Sequence, residues 1–287
     1  MRAALLVGPT SGRGRGPAEA AAFCDVIPSA VLLEGTSRDD VLAAARAAVA
    51  DGLDVLVAVG GDGTAHLALQ AVAGTSTALA IVPTGTGNDL AHSLGVPEGG
   101  AATAQAALAA DVTAVDAVRV GERWFGCILG TGFDAAVNER ANRMSWPRGR
   151  RRYDLAIVLE LRTFRPQPVV LTLDGTRLER SVMLVALGNA RSYGGGMQMC
   201  PDARLDDGLL DVVVVNRLTR RRLLALFPRL LKGTHVTDSS VEVLRAREVG
   251  LEGPGLAVYA DGEAFGQLPV TCSVVPRAVK VVGAHLV

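Results

Sequence analysis

The sequence predicts an α/β first domain followed by a second, β-rich domain, and three observations carry that reading. Up to residue 116, short apolar strand-like runs alternate with Ala-rich helical stretches, the pattern of a mainly parallel sheet covered by helices. From residue 117 the spacing changes to closely set strand-like runs separated by turn residues. Two of the early strands run straight into glycine-rich turns, and open α/β sheets hold their ligands at the carboxyl ends of strands.

Taken in order, residues 3–7 (AALLV) read as a first buried strand. The turn after it, GPTSGRGRGP, offers Ser11, Gly12, a threonine and arginines to a phosphate. It is not a dinucleotide fingerprint, because Pro17 stands where G-x-G-x-x-G needs another glycine. Residues 18–24 can form a helix, 30–33 a second strand, and 39–50 an Ala-rich helix with Ser37 as its N-cap. Residues 55–59 and 78–82 are two further apolar strands; a short helix at 89–94 and another Ala-rich helix at 101–110 follow. In the second part, AVRV, WFGCILG, VVLTLDG, SVMLVALG, LLDVVVVN, SSVEVLRAREV, LAVYADGE and LPVTCSVVP are strand-like, with Asp174-Gly175 as a hairpin turn. Helical interruptions are expected around 138–164 and 219–231. The expected division is a first domain of residues 1–116, rejoined by 279–287, and a second of residues 117–278.

Composition narrows the function classes. A chain of 287 residues suits about two domains, and 49% hydrophobic against 20% charged residues is ample for buried cores. Zero formal net charge argues against a nucleic-acid partner. Cys24, Cys127, Cys200 and Cys272 lie far apart without metal-ligand spacing, as suits buried thiols in a reducing cytoplasm, and His66, His92, His235 and His285 show no such spacing either. The apolar start is too short for a signal-peptide core, and no run reaches the ~18 apolar residues of a bilayer span. A soluble or peripheral protein is expected.

Gly60-Gly61-Asp62-Gly63-Thr64, directly after a buried strand, is the most informative pentapeptide. Its glycines let backbone amides approach an anion, and Asp62 can hold a magnesium-bound phosphate. An ordinary strand-to-helix turn with a capping aspartate is the plain alternative. There is no GxxxxGK[ST], so phosphoryl chemistry must use another scaffold. The second turn, Thr84-Gly85-Thr86-Gly87-Asn88-Asp89, lies close enough in sequence to form one site with the first.

GGDGT at 60–64, PTGTGNDLA at 83–91, LGTGFDAAV at 129–137, ARLDDGLLDV at 203–212 and ADGE at 260–263 together resemble the diacylglycerol kinase catalytic-domain family, which includes sphingosine and bacterial lipid kinases. The resemblance implies an NAD-kinase-like α/β nucleotide-binding domain joined to a β-sandwich that takes the lipid, with the active site between the two domains. Gly60 to Thr64 would bind the ATP phosphates, Asp62 would organise the catalytic Mg2+, and Thr86, Asn88 and Asp89 would complete the nucleotide site. Glu263 would be the general base toward the lipid hydroxyl. A structural metal would sit on the loop after Ala203, held by the Asp207 carboxylate and the carbonyls of Arg204 and Leu209.

Other readings stay open. Asp261-Gly262 and Asp207-Gly208 are also ordinary hairpin turns. Asp134 can support the site or cap the helix that follows it. The family's Asn-Pro-x-Ser-Gly is here Gly8-Pro9-Thr10-Ser11-Gly12, and Glu34 replaces a threonine often found after the second strand. Arg148, Arg150, Arg151 and Arg152 beside Trp146, and Arg220, Arg221 and Arg222 before Leu223 and Leu224, suit docking on anionic headgroups or, equally, a solvated face. The residues 193–199 (YGGGMQM) suit a lipid cleft or a tight loop. The reading is a magnesium- and ATP-dependent lipid kinase at the inner face of the membrane, with homodimerisation open. An NAD kinase and a non-catalytic lipid-binding protein are its rivals.

Overall fold

The computed structural model describes residues 1–8, 14–147 and 150–286, the side chains of Arg150 and Asp154 excepted. Contacts divide the chain into two compact units: unit 1 comprises Met1–Gly126, Leu205–Gly208 and Val275–Val287, and unit 2 comprises Cys127–Arg204 and Leu209–Val274.

Unit 1 is built on parallel strands. β1 (Ala3–Val7), β3 (Val55–Gly60) and β4 (Ala78–Pro83) carry the apolar runs, and the two-residue β2 (Val31–Leu32) is much shorter than its apolar run suggests. The order is β4-β3-β1-β2, parallel throughout, with the end of β15 (Val270–Val282) beside β4 through Lys280↔Ala78 and Val281↔Leu79. All six residues of β3 are buried, as expected of a parallel strand covered on both faces. Alternate residues Val55, Val57, Val59, Ala78, Ala80 and Val82 form one apolar cluster with Phe23 of α1 (Arg15–Val26) and with Ala104 and Ala107 of α5 (Gly100–Leu108). α1 and α5 approach so closely that a Cβ on Gly100 would stand 1.9 Å from the Glu19 carbonyl oxygen. α2 (Arg38–Ala50) opens with the expected Ser37 cap, in a capping box with Asp40. The unit is completed by α3 (Asp62–Val72), α4 (Asp89–Leu94), β5 (Val112–Val120) and β6 (Arg123–Phe125).

Unit 2 is an antiparallel assembly with two helical insertions. β7 (Ile128–Gly132), β8 (Gln167–Leu173), β9 (Thr176–Gly188), β10 (Leu210–Asn216), β11 (Val241–Ala246), β12 (Glu248–Glu252), β13 (Ala257–Ala260) and β14 (Glu263–Gln267) pair in the order β14-β13-β7-β9-β8-β12, with β10 between β9 and β11. Asp174 and Gly175, both at positive φ, close the β8–β9 hairpin. The helical region between β7 and β8 is two helices, α6 (Phe133–Arg143) and α7 (Arg150–Thr163), and α8 (Arg220–Leu230) follows β10. No helix among the described residues is long and apolar enough to cross a membrane.

Candidate active site

The two glycine turns are one structure. β3 delivers Gly61 as the N-cap of α3, which puts Asp62 in its first turn; β4 delivers Asn88, in the left-handed region at φ 57°, as the N-cap of α4. Asp62 ties them together: its Oδ2 accepts the Asn88 N–H at 2.9 Å and its Oδ1 the Asp89 N–H at 2.6 Å. The Asn88 side chain folds back on its own turn, accepting from Gly85 N and donating to Gly85 O, each at 3.0 Å. At Gly85 and Gly87 nothing larger fits. A Cβ on Gly85 would lie 2.5 Å from the Gly61 Cα, and one on Gly87 would lie 2.4 Å from the Asp62 Oδ2.

This cradle suits a polyphosphate and a hard cation. An ionised carboxylate offers about four lone-pair sites, and the two amides occupy one on each Asp62 oxygen, so a side of the carboxylate stays available. Thr84 is 2% exposed, and its Oγ1 has no hydrogen-bond partner among the described residues. Thr86 and Gly63 are exposed at the two turns, while Thr64 packs its side chain under Gly60. His66 is buried with its Nε2 against the Gln70 amide, and His92 is exposed. Ser11 and Gly12 lie outside the described residues.

Asp116, on β5, was not singled out by sequence reasoning. It is 3% exposed, and its Oδ2 accepts the Gly208 N–H at 2.7 Å while its Oδ1 accepts the Arg277 N–H at 2.8 Å. Its own N–H donates to the Leu205 carbonyl at 2.7 Å. One aspartate thus holds the middle of the expected metal loop to unit 1. The partners are 92 and 161 residues away, so no local pattern marks it. Among the described residues no three His, Cys, Asp or Glu side chains converge as a metal cluster. A single carboxylate with two carbonyls and water is still an oxygen set that Mg2+ accepts.

In unit 2, Glu263 is the first residue of β14, half-buried and paired with Ala260. The turn before it takes Asp261 and Gly262 at φ 51° and 81°, a type I′ pair. Asp261 anchors that turn, since its Oδ1 accepts the N–H groups of Cys127 at 2.9 Å and Ile128 at 3.3 Å. Asp134 falls in the first turn of α6, whose N-cap is Gly132. Burial pushes its carboxyl up to about 6, tempered by a hydrogen bond from the Tyr193 side chain. Tyr193 opens a turn closed by its backbone pairing with Met197, with Gly194, Gly195 and Gly196 all at positive φ. Asp134, Tyr193 and the 193–199 turn therefore form one polar feature.

Residues 2–120 match the family model of the diacylglycerol kinase catalytic domain, and residues 127–283 match that of the YegS C-terminal NAD kinase beta sandwich-like domain. A diacylglycerol kinase of Mycobacterium tuberculosis is 43% identical over 263 residues, 88% of this chain and 84% of that one. A diacylglycerol kinase of Bacillus subtilis is 26% identical, over 93% of this chain and 91% of that protein. In fold, the chain superposes on a diacylglycerol kinase of Bacillus anthracis with a TM-score of 0.79 at 24% identity, covering 98% and 96% of the two chains. An Archaeoglobus fulgidus NAD kinase in complex with ATP gives 0.56 at 13% identity, over 98% of this chain and 93% of that one. Matched over residues 2–120 and 127–283 by these two domain models and 43% identical to the mycobacterial enzyme, the chain belongs to the diacylglycerol kinase catalytic-domain family of lipid kinases.

Proposed function

We propose that this kinase transfers the γ-phosphoryl group of ATP to the hydroxyl of a diacylglycerol-like lipid, in a magnesium-dependent reaction with Glu263 as general base. The observation that carries the reading is the Asp62 bridge, which makes the 60–64 and 84–89 turns one cradle of backbone amides. Within it, Gly60, Gly61, Gly63 and Thr64 approach the phosphates, Thr86, Asn88 and Asp89 complete the nucleotide site, and Asp62 holds the catalytic cation. Bound Mg2+ supplies charge neutralisation for the developing transition state. Asp207, with the Arg204 and Leu209 carbonyls, holds a second cation on the loop that Asp116 fixes.

Glu263 takes the proton of the acceptor hydroxyl as that oxygen attacks the phosphorus in line. The enzyme meets its lipid by peripheral contact at the inner face of a bilayer.

A magnesium-ATP assay over diacylglycerols, sphingoid bases, other lipid alcohols and NAD, with products identified by mass spectrometry, tests the reading. A phosphorylated lipid is expected and NADP is not; the reverse would put the chain with the NAD kinases. General bases of this kind contribute roughly 10²–10⁴-fold, so Glu263→Gln should lose at least about 10² in kcat with nucleotide binding retained. Near-normal turnover in that variant would remove Glu263 from the role.

A further inference from the structure

A groove in unit 2, outside the residues assigned to catalysis, has the chemistry of a phosphate site. It is a cavity of about 430 Å³ lined by Phe164, Arg165, Met183, Arg217, Leu218 and Arg220 among others. Edge-to-face packing of Phe133 on Phe164 at 5.4 Å and on Phe227 at 6.2 Å holds the end of α7 beside α8. The Arg217 N–H bonds the Ser181 carbonyl at 2.8 Å, which fixes the segment between β10 and α8. Three arginines, Arg165 after α7 and Arg217 and Arg220 at the entry to α8, thereby line one opening.

The start of α8 is electrostatically incomplete. Its first turn is Arg220-Arg221-Arg222, with no acidic residue. The amino end of a helix favours negative charge, so three arginines in the first turn leave a local surplus of positive charge there. Asp238 answers only part of it, accepting from Arg222 at 2.8 Å and from Arg229 at 2.9 Å. Arg165, Arg217 and Arg220 take no part in an ion pair among the described residues. The chain as a whole is neutral, so this excess is local.

A soluble anion accounts for the arginines but not for what surrounds them. Phe164, Met183 and Leu218 line the groove. Leu224 and Leu231, spaced i+4 and i+11 from Arg220, continue its stripe of the helix and are 51% and 56% exposed. Their neighbours Leu223, Leu226 and Leu230 face the interior. Cationic groups at the head of an exposed apolar stripe match a headgroup phosphate above acyl chain.

We propose that Arg165, Arg217 and Arg220 bind the phosphate of an anionic phospholipid while Leu224 and Leu231 enter the apolar boundary below it, seating unit 2 on an anionic bilayer. This rests on the membrane-contact part of the function proposed above and not on the kinase chemistry, so it is measured with nucleotide absent.

The test is partition of the full chain onto sedimented vesicles of phosphatidylcholine, with and without phosphatidylglycerol. The variant Arg165→Gln/Arg217→Gln/Arg220→Gln is compared with a charge-matched control, Arg46→Gln/Arg119→Gln/Arg177→Gln. Binding to anionic vesicles should fall at least about tenfold in the first, the scale set by three arginines at a charged surface, and far less in the control. Equal losses in both variants would reduce the effect to net charge and overturn the site; so would no loss in either. High salt screens the arginines, and the binding that survives it should disappear in Leu224→Gln/Leu231→Gln; survival there would overturn the apolar half.

Inorganic phosphate is the remaining arm. If it raises the thermal midpoint of the wild type but not of the triple variant, and strips the wild type from vesicles at matched concentration, the ligand is a free phosphate and the lipid assignment fails. Far-UV circular dichroism checks folding, and single Arg217→Gln, in the segment before α8, is read on the same partition should the triple variant misfold. Kinase activity on detergent-dispersed lipid should be unchanged in all variants, which separates this site from the failure of the catalytic reading.

Discussion

At the scale of single residues, Asp62 shows how a motif can be legible while its work is not. GGDGT marks the residue as part of a phosphate site, yet the bonds to Asn88 and Asp89 depend on a turn 26 and 27 residues on. Asp62→Asn can keep one of those acceptors but turns a donor toward the other amide, at a cost of about 1–3 kcal/mol for the unsatisfied group. Urea unfolding should show that loss, together with abolished turnover; full stability would mean the bridge is dispensable. Asp116 was illegible for the same reason, its partners being remote. Asp134 was legible only as a choice between capping and support, and Gly132 as N-cap with Tyr193 as partner settles which bonds form. Its carboxyl, raised from 3.8 to about 6, binds a proton more tightly in the folded state than in the unfolded chain. Stability from this group is therefore full below about pH 4 and declines as pH rises toward about 6, by on the order of 1–3 kcal/mol. Asp134→Asn should flatten that decline and be the more stable protein at pH 8 in parallel denaturation curves; a parallel loss in both proteins would show that the carboxyl is not enclosed.

At the scale of elements, local chemistry decided what could be read. α2 was legible to within a residue because Ser37 and Asp40 cap it from within its own sequence: Ser37 Oγ accepts the Asp40 N–H at 3.1 Å and Asp40 Oδ2 accepts the Ser37 N–H at 3.1 Å. Ser37→Ala should cost about 1 kcal/mol, read as a lower urea midpoint with unchanged slope, and a change within error would make the cap incidental. β3 and β4 were legible as unbroken apolar runs, but SSVEVLRAREV proved to be two strands, β11 and β12. Nothing in its alternation marks the break between Ala246 and Glu248, where the turn is held from outside by Asp174 Oδ1 accepting the N–H groups of Arg247 and Glu248 at 3.0 and 2.8 Å. The three arginines opening α8 were equally visible in sequence. That Asp238 takes Arg222 and leaves Arg220 at the groove required the fold.

At the scale of the whole molecule, the chain passes from one unit to the other four times, after Gly126, Arg204, Gly208 and Val274. The crossing at 205–208 has no compositional signal, being four residues held by Asp116. This interleaving predicts that unit 1 is not a product of its first 126 residues alone. The fragment 1–126 lacks the end of β15, whose Val279, Val281 and Val282 are 2%, 0% and 0% exposed. At about 1.5–3 kcal/mol for each fully buried valine, losing them removes roughly 5–9 kcal/mol, comparable with the ~5–15 kcal/mol that holds a whole domain together. The fragment also lacks Gly208 and Arg277, whose backbone N–H groups donate to the buried Asp116 carboxylate. Stranding that charge adds several kcal/mol more. The fragment should therefore show no cooperative urea transition by far-UV circular dichroism, whereas the full chain should. A cooperative transition in the fragment near the midpoint of the full chain would mean that residues 205–208 and 275–286 decorate unit 1 rather than complete it.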